Sequence, residues 1–100
     1  MEKHVAHYNL KAIGALVESF GTEAFTMLAL DEIDRMGLRF SEAAGVVMGL
    51  KRNMLHKSMT THADHRVWQD VYHAPCPNGK IAYIKLTLQD GAVVIQFKEK

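Results

Sequence analysis

The sequence has a single cysteine, Cys76, and no apolar run long enough to cross a membrane. One cysteine excludes both an internal disulfide and a cysteine-based zinc cluster. The longest apolar run, AAGVVMGL, is far shorter than the ~18 residues that a membrane-spanning helix needs. The opening MEKHVAHYNLK also lacks the apolar segment of a signal peptide. These absences favour a protein of the reducing cytoplasm.

The length and composition indicate one globular domain over residues 1–100. The chain has 100 residues, of which 48% are hydrophobic and 23% are charged. A chain of this size buries roughly two thirds of the surface that it exposes when unfolded, which is enough for one core. We find no internal repeat, low-complexity segment or linker that would divide it.

Positive and negative charges are unevenly distributed along the chain. Residues 1–50 contain four Lys/Arg and seven Asp/Glu, whereas residues 51–100 contain eight and four. Four of the six histidines also lie in the second half. An ordinary solvated surface explains such a bias, and so does a surface that binds phosphates or another anion.

The first half has the periodicity of three amphipathic helices, each with one apolar stripe to cover. The first helix is expected after Asn9, a plausible N-cap, and ends at Gly21. The second is expected after Thr22 and ends at Gly37, and a shorter third helix follows Ser41.

The C-terminal sequence KIAYIKLTLQDGAVVIQFK alternates with period two and predicts a hairpin that turns at Asp90-Gly91. If Gln89 faces Ala92, paired residues have numbers that sum to 181. One face is then apolar, with the pairs Leu88–Val93, Leu86–Ile95 and Ile84–Phe97. The other face has the pairs Thr87–Val94, Lys85–Gln96 and Tyr83–Lys98, which combine positive charge with hydrogen-bond donors.

Residues 67–73, VWQDVYH, predict a third strand. Its aromatic residues Trp68 and Tyr72 suit the core side, which turns Gln69 and His73 toward the face that carries Tyr83. Asp70 would also point inward, and the sequence offers no partner for it. The expected fold is therefore α+β, with the N-terminal helices packed on one face of a C-terminal antiparallel sheet.

Several kinds of catalytic site find little support in the sequence. His62 and His65, with His56 and His73 nearby in the chain, do not match a zinc motif such as HExxH. Cys76 lies between two prolines in a loop, no Ser-His-Asp order is evident, and no glycine-rich phosphate loop is present.

RNA cleavage fits the remaining polar residues better, because this reaction can use the 2′-hydroxyl of the substrate as its nucleophile. The enzyme must then help to remove a proton, stabilise the negative charge of the phosphorane and assist the leaving 5′-oxygen. Lysine stabilises such charge, and tyrosine or a lysine with a lowered pKa moves protons. A sheet face with lysine, glutamine and tyrosine has these groups.

Three motifs in the second half resemble a known family. The motifs are KSMTT…DH..WQDVY at residues 57–72, YIKLT at residues 83–87 and the terminal FKEK. Together with the opening MEK, they resemble the motility quorum-sensing regulator toxins of bacterial type II toxin–antitoxin systems. The resemblance spans nearly the whole chain and implies a RelE-like fold, with helices on an antiparallel sheet.

The resemblance also implies an activity and a site. The family cleaves messenger RNA at GC-containing triplets, without a cofactor, a required metal or the ribosome. Its motifs imply that Lys57, Gln69 and Tyr83 are catalytic. Substrate-binding positions are expected at Met59, His73, Lys85 and Lys98; Lys85 is included because the hairpin register places it on the same face.

The chain departs from the family pattern at two positions. His73 occupies a position where an arginine is expected, and His56 one where a tyrosine is expected. A histidine is mostly neutral at neutral pH, so charge stabilisation at position 73 would depend on pH. Alternatively, His73 could act as a general acid or base.

The expected partners are the mRNA substrate and an antitoxin with a zinc-binding N-terminal domain and a helix-turn-helix domain. The toxin–antitoxin complex is expected to bind operator DNA. Two other functions stay open on the sequence: a non-catalytic nucleic-acid-binding regulator that uses the same basic face, and an assembly module whose polar face meets only a protein.

Overall fold

Three helices pack on one face of a five-stranded antiparallel sheet in the computed structural model, which describes residues 1–88 and 91–100. The helices are α1 (Leu10–Phe20), α2 (Met27–Arg35) and α3 (Phe40–Met48). The strands, in their spatial order, are β1 (Glu2–Lys3), β2 (Leu55–Thr60), β3 (Trp68–Pro75), β4 (Ile81–Leu86) and β5 (Val94–Glu99). The predicted α+β architecture is confirmed.

Helix α1 begins and ends where the sequence predicts. The Asn9 side chain accepts a hydrogen bond from the backbone N–H of Ala12 at 3.1 Å, which satisfies one of the free donors of the first turn. Gly21 ends the helix with a φ of 56°, a backbone conformation that favours glycine. Ile13 and Val17 are buried in the hydrophobic core.

The predicted start of α2 is wrong by several residues. Thr22 lies in a 3-10 turn, Gly21–Ala24, and the helix is capped instead by Thr26, whose hydroxyl accepts from the Ala29 N–H at 3.1 Å. Phe25 is extended because it bridges Val94 of β5, so no helix runs through it. Thr26 continues this contact through its backbone N–H, 3.0 Å from the Val94 carbonyl oxygen.

Helix α3 is capped by Arg39 rather than by Ser41. The Glu42 carboxylate accepts a hydrogen bond from the Arg39 backbone N–H at 2.9 Å, closing the first turn. Leu50 lies beyond the end of the helix but is buried in the core.

The C-terminal hairpin has the predicted register only in the part that is far from its turn. Tyr83 pairs with Lys98, Ile84 with Phe97 and Lys85 with Gln96. The pairing then shifts, so Leu86 pairs with Val94 rather than with Ile95, and the predicted Thr87–Val94 and Leu88–Val93 pairs are wrong. The reason is a β-bulge, which places Val94 in the core and leaves Ile95 half-buried. Gln89 and Asp90, and with them the predicted turn, lie outside the described residues.

Strand β3 extends two residues beyond its predicted end and orients its aromatic residues as expected. Tyr72 is fully buried in the core. Trp68 lies on the same face but is only half-buried, because it is at the margin of the sheet, where its ring stacks on His7. Burial raises the pKa of Tyr72 to about 12, and the nearby charge of Asp70 adds to this effect.

Asp70 points inward, as predicted, and the structure supplies the partners that the sequence did not reveal. The Ser58 hydroxyl donates to its carboxylate at 2.5 Å across the β2–β3 pair. The backbone N–H of Tyr8 donates at 2.8 Å and that of His7 at 3.0 Å. These bonds compensate the desolvation of the carboxylate and fix the segment between β1 and α1 against the sheet.

Candidate functional site

The face of the sheet opposite the helices, called here the outer face, carries every site residue that the sequence predicts. Cross-strand partners share a face of a sheet, so the strand register arranges the outer face in three rows. The first row is Glu2, Met59 and Gln69; the second is Lys57, Val71, Lys85 and Gln96; the third is His73, Tyr83 and Lys98.

The second row places two lysines on opposite sides of one apolar residue. Val71 of β3 pairs with Lys57 of β2 on one side and with Lys85 of β4 on the other. Val71 is fully buried although it belongs to the outer face, because neighbouring long side chains cover it. Lys57 and Lys85 are two strand spacings apart at the backbone, about 10 Å, which is suitable for holding one phosphate group between their ammonium groups.

The third row surrounds Tyr83 with cations and an imidazole. The Nζ atoms of Lys98 and Lys85 lie 5.3 Å and 5.9 Å from the centroid of the Tyr83 ring. The His73 ring lies beside it, with 5.9 Å between the two centroids. Two lysines and an imidazole therefore surround the Tyr83 ring.

Burial is the main cause that lowers the pKa of Lys85, and the positive charges of Lys98 and Lys57 lower it further. Glu32 of α2 opposes this shift from the edge of the sheet. Its carboxylate accepts a hydrogen bond from the Phe97 backbone N–H at 3.3 Å. A lysine with a lowered pKa moves protons more readily at neutral pH than an ordinary lysine.

His56 joins the outer face, which the strand alternation does not predict. The β2–β3 register shifts between Leu55 and Lys57, and this bulge turns the intervening His56 toward His73. Their rings stack with centroids 4.4 Å apart and planes inclined by 20°. Burial lowers the pKa of His73, and His56 and Lys100 lower it further, so a neutral imidazole is favoured.

Glu2 also belongs to the outer face, which no pattern in the sequence predicts. Strand β1 pairs with β2, which places Glu2 opposite Met59. The Glu2 Oε1 atom lies 3.4 Å from the Nζ atom of Lys57. A two-residue strand is too short to produce a recognisable alternation, so its pairing depends entirely on tertiary contacts.

Metal-ligating side chains, the cysteine and the helices bear on other kinds of function. Within residues 1–88 and 91–100, no three His, Cys, Asp or Glu side chains are grouped so that they could hold a metal ion. Cys76 is buried, and burial raises the pKa of its thiol, which makes it a poor nucleophile. Of the helices described, none is both long enough and apolar enough to span a membrane.

Comparisons with known proteins agree on one family. Residues 5–99 match the model of the family described as "Motility quorum-sensing regulator, toxin of MqsA". The chain is also 38% identical to the mRNA interferase toxin MqsR of Escherichia coli (strain K12), over 100% of both chains. This coverage and identity confirm the resemblance that the sequence motifs indicate. The chain belongs to the motility quorum-sensing regulator toxin family.

Proposed function

We propose that this protein is the toxin of a type II toxin–antitoxin system and an endoribonuclease that cleaves messenger RNA on the outer face of its sheet. Family membership supports the toxin assignment, and the relative from Escherichia coli is named an mRNA interferase. The observation that carries the proposal is the arrangement of Lys57, Gln69 and Tyr83 in three adjacent rows of one face. A surface that only attracts phosphates needs lysines but not this tyrosine and glutamine.

The scissile phosphate lies over Val71, between Lys57 and Lys85. The 2′-hydroxyl loses its proton to a base, the 2′-oxygen bonds to phosphorus, and the phosphorus–5′-oxygen bond breaks. The leaving 5′-oxygen receives a proton from an acid. The products are a 2′,3′-cyclic phosphate and a 5′-hydroxyl, so the reaction balances without water or a redox partner.

Each residue of the face has a role in this reaction. The two lysines of the second row stabilise the negative charge that develops on the phosphorane, because charged donors fixed in place before the reaction need little reorganisation. The Gln69 amide donates a hydrogen bond to a non-bridging oxygen. Tyr83 is the acid that protonates the 5′-oxygen, assisted by the positive charges of Lys85 and Lys98 beside it.

The residues around this centre bind the rest of the RNA strand. Lys98 contacts a neighbouring phosphate, and Met59 provides an apolar contact for a base next to Gln69. The stacked rings of His56 and His73 continue toward Tyr83 and offer a flat surface on which a single-stranded base stacks.

The resemblance supports several finer parts of the proposal. The cut falls at GC-containing triplets, and the reaction needs neither the ribosome nor a metal ion. The substrate supplies its own nucleophile and the lysines supply positive charge, which is consistent with this chemistry. The active unit is one ribonuclease domain, residues 1–100, with a RelE-like fold, and it acts in the cytoplasm.

The partner is an antitoxin, as the description of the family states. We propose that this antitoxin has a zinc-binding N-terminal domain and a helix-turn-helix domain, and that the complex binds operator DNA. The acidic half of the chain, residues 1–50, is available for the protein–protein contact.

The experiment that tests the proposal is cleavage of a purified RNA of mixed sequence in EDTA, without ribosomes. Wild type is compared with Lys57→Ala and with the matched control Lys11→Ala, whose exposed lysine lies on α1, away from the outer face. We expect cuts at one short motif with wild type and control, and a loss of about 10²–10³-fold with Lys57→Ala. RNA that stays intact but is bound by all three proteins would instead indicate a non-catalytic regulator.

A further inference from the structure

The proposed reaction leaves one role unassigned, the base that accepts the proton of the 2′-hydroxyl. On the outer face, two kinds of side chain can accept a proton: the carboxylate of Glu2 and the imidazole of His73, on which the His56 ring is stacked. The ammonium groups of the lysines cannot do so while they hold their own protons. The choice therefore depends on where these two groups lie relative to the leaving group.

Direction of attack distinguishes the two candidates. In an in-line displacement the attacking and leaving oxygens lie on opposite sides of phosphorus, so the base and the acid must flank the phosphate. His73 is the direct cross-strand neighbour of Tyr83, the proposed acid, and is therefore on the same side. Glu2 lies on β1, three strand spacings or roughly 14 Å from β4 at the backbone, with Val71 between them.

The position of Glu2 is fixed by several contacts around it. The Met1 carbonyl oxygen accepts a hydrogen bond from the Thr60 backbone N–H at 2.9 Å. Lys3, on the other side of Glu2, has its Nζ atom 4.1 Å from the centroid of the Trp68 ring. Farther along, Asp70 binds the backbone N–H groups of His7 and Tyr8. The carboxylate is therefore held beside Lys57 by a segment that is anchored on both sides.

We infer that Glu2 is the general base of the cleavage reaction and takes the proton of the 2′-hydroxyl, with Lys57 beside it. This inference rests on the proposed ribonuclease function. When the 2′-oxygen attacks, Glu2 receives the proton and becomes neutral, while the electron pair forms the new bond to phosphorus. Lys57, 3.4 Å from the Glu2 carboxylate, orients it and stabilises the charge on the phosphorane.

The side-chain chemistry of Glu2 suits this role. Its carboxylate is about half exposed, so RNA can reach it, whereas Lys57 beside it is more covered. The cation beside it is Lys57 on β2, and the Met1 amine near the strand start donates to the Thr60 hydroxyl at 3.0 Å.

The test compares wild type, Glu2→Gln, Glu2→Asp and the control Glu18→Gln, which changes an exposed glutamate on α1. A glutamine still offers an oxygen to Lys57 but cannot accept the proton. We expect kcat of Glu2→Gln to fall about 10²–10⁴-fold with little change in KM, and Glu2→Asp to keep part of the activity. Thermal unfolding of each variant verifies that the fold is intact.

A pH profile separates the base from a residue that only positions Lys57. We expect kcat of wild type to fall on acidification, and this acidic limb to be absent from Glu2→Gln. His73→Gln, measured in parallel, keeps the limb. The inference is overturned if Glu2→Gln cleaves like wild type or faster, or if the limb disappears with His73→Gln instead. Wild type that does not cleave RNA at all overturns the proposed function, and the inference with it.

Discussion

The two faces of the sheet are built from alternate residues of the same strands, yet they perform different tasks. On the inner face, Tyr72, Ile84 and Phe97 are fully buried under the helices. On the outer face, their sequence neighbours His73, Tyr83 and Lys85 are partly exposed and carry polar groups toward solvent. A strand segment of a few residues therefore supplies both the core and the candidate site.

Polar groups behave differently on the two faces. Inside, Ser58 and Asp70 bind one another and the backbone, and the bonds they make stabilise the fold. On the outer face, the Nζ atoms of Lys85 and Lys98 lie near the ring of Tyr83. Neither lysine belongs to an ion pair with a carboxylate in the described part of the chain. The inner groups are satisfied by the protein itself, and the outer groups can be satisfied by RNA.

The largest effect on the inner face is expected from Asp70→Asn. The substitution keeps the size of the side chain but replaces one acceptor oxygen by an amide that faces N–H and O–H donors. We expect the free energy of unfolding to fall by about 3 kcal/mol, because hydrogen bonds to a buried charged group are lost. Urea denaturation measures this change, and kcat per folded molecule should fall less than in Glu2→Gln, because Asp70 only holds the segment that carries Glu2.

Two outcomes of that experiment would contradict the difference in role between the two faces. Stability equal to that of wild type would mean that the Asp70 contacts do not hold the segment between β1 and α1. A loss of kcat per folded molecule as large as that of Glu2→Gln would mean that an inner-face residue takes part in the chemistry. Asp31→Asn, which removes an exposed carboxylate that pairs with Arg35 on α2, is a matched control.

A smaller effect, on affinity alone, is expected from His73→Arg. The lowered pKa of His73 means that the ring gains its charge only below the usual histidine value of about 6.5, so wild type binds RNA more tightly as the pH falls. Arginine is charged throughout this range, and the variant should bind RNA roughly twofold to fivefold more tightly than wild type above pH 7. The two affinities should converge at acidic pH.

Fluorescence anisotropy with an RNA that carries 2′-O-methyl groups measures this affinity without cleavage. His62→Arg, at an exposed position in the loop between β2 and β3, adds the same charge away from the outer face. If His73→Arg keeps the pH dependence of wild type, His73 is not the group that titrates during RNA binding.

Much of the architecture was predictable from local patterns. The Asn9 cap and Gly21 define α1 because both act on residues next to them in sequence. The alternation of the C-terminal hairpin correctly placed Tyr83, Lys85 and Lys98 on one face, because one slip in register would have buried lysines. The arrangement of Gln69 and His73 on that face followed from the aromatic residues of β3.

The parts that were not predictable depend on contacts between distant segments. No local sequence pattern predicts the bulge that brings His56 to His73. The same is true of the bulge near Leu86, which shifts the pairing in the part of the hairpin close to its turn. Glu2 joins the site because β1 pairs with a strand more than fifty residues away in sequence. The sequence predicts no partner for Asp70, because two of its donors are the backbone N–H groups of a distant segment and the third is the Ser58 hydroxyl of the neighbouring strand.

The most direct measurement removes the same hydroxyl from each face, in Tyr72→Phe and in Tyr83→Phe. The Tyr72 hydroxyl is buried and, within the described part of the chain, makes no hydrogen bond. We expect Tyr72→Phe to unfold with a free energy equal to that of wild type or about 1 kcal/mol higher, with unchanged cleavage. We expect Tyr83→Phe to keep the stability of wild type and to lose about 10²-fold or more of kcat. Unchanged cleavage by Tyr83→Phe, or an equal loss of cleavage in both variants, would contradict the assignment of the chemistry to the outer face.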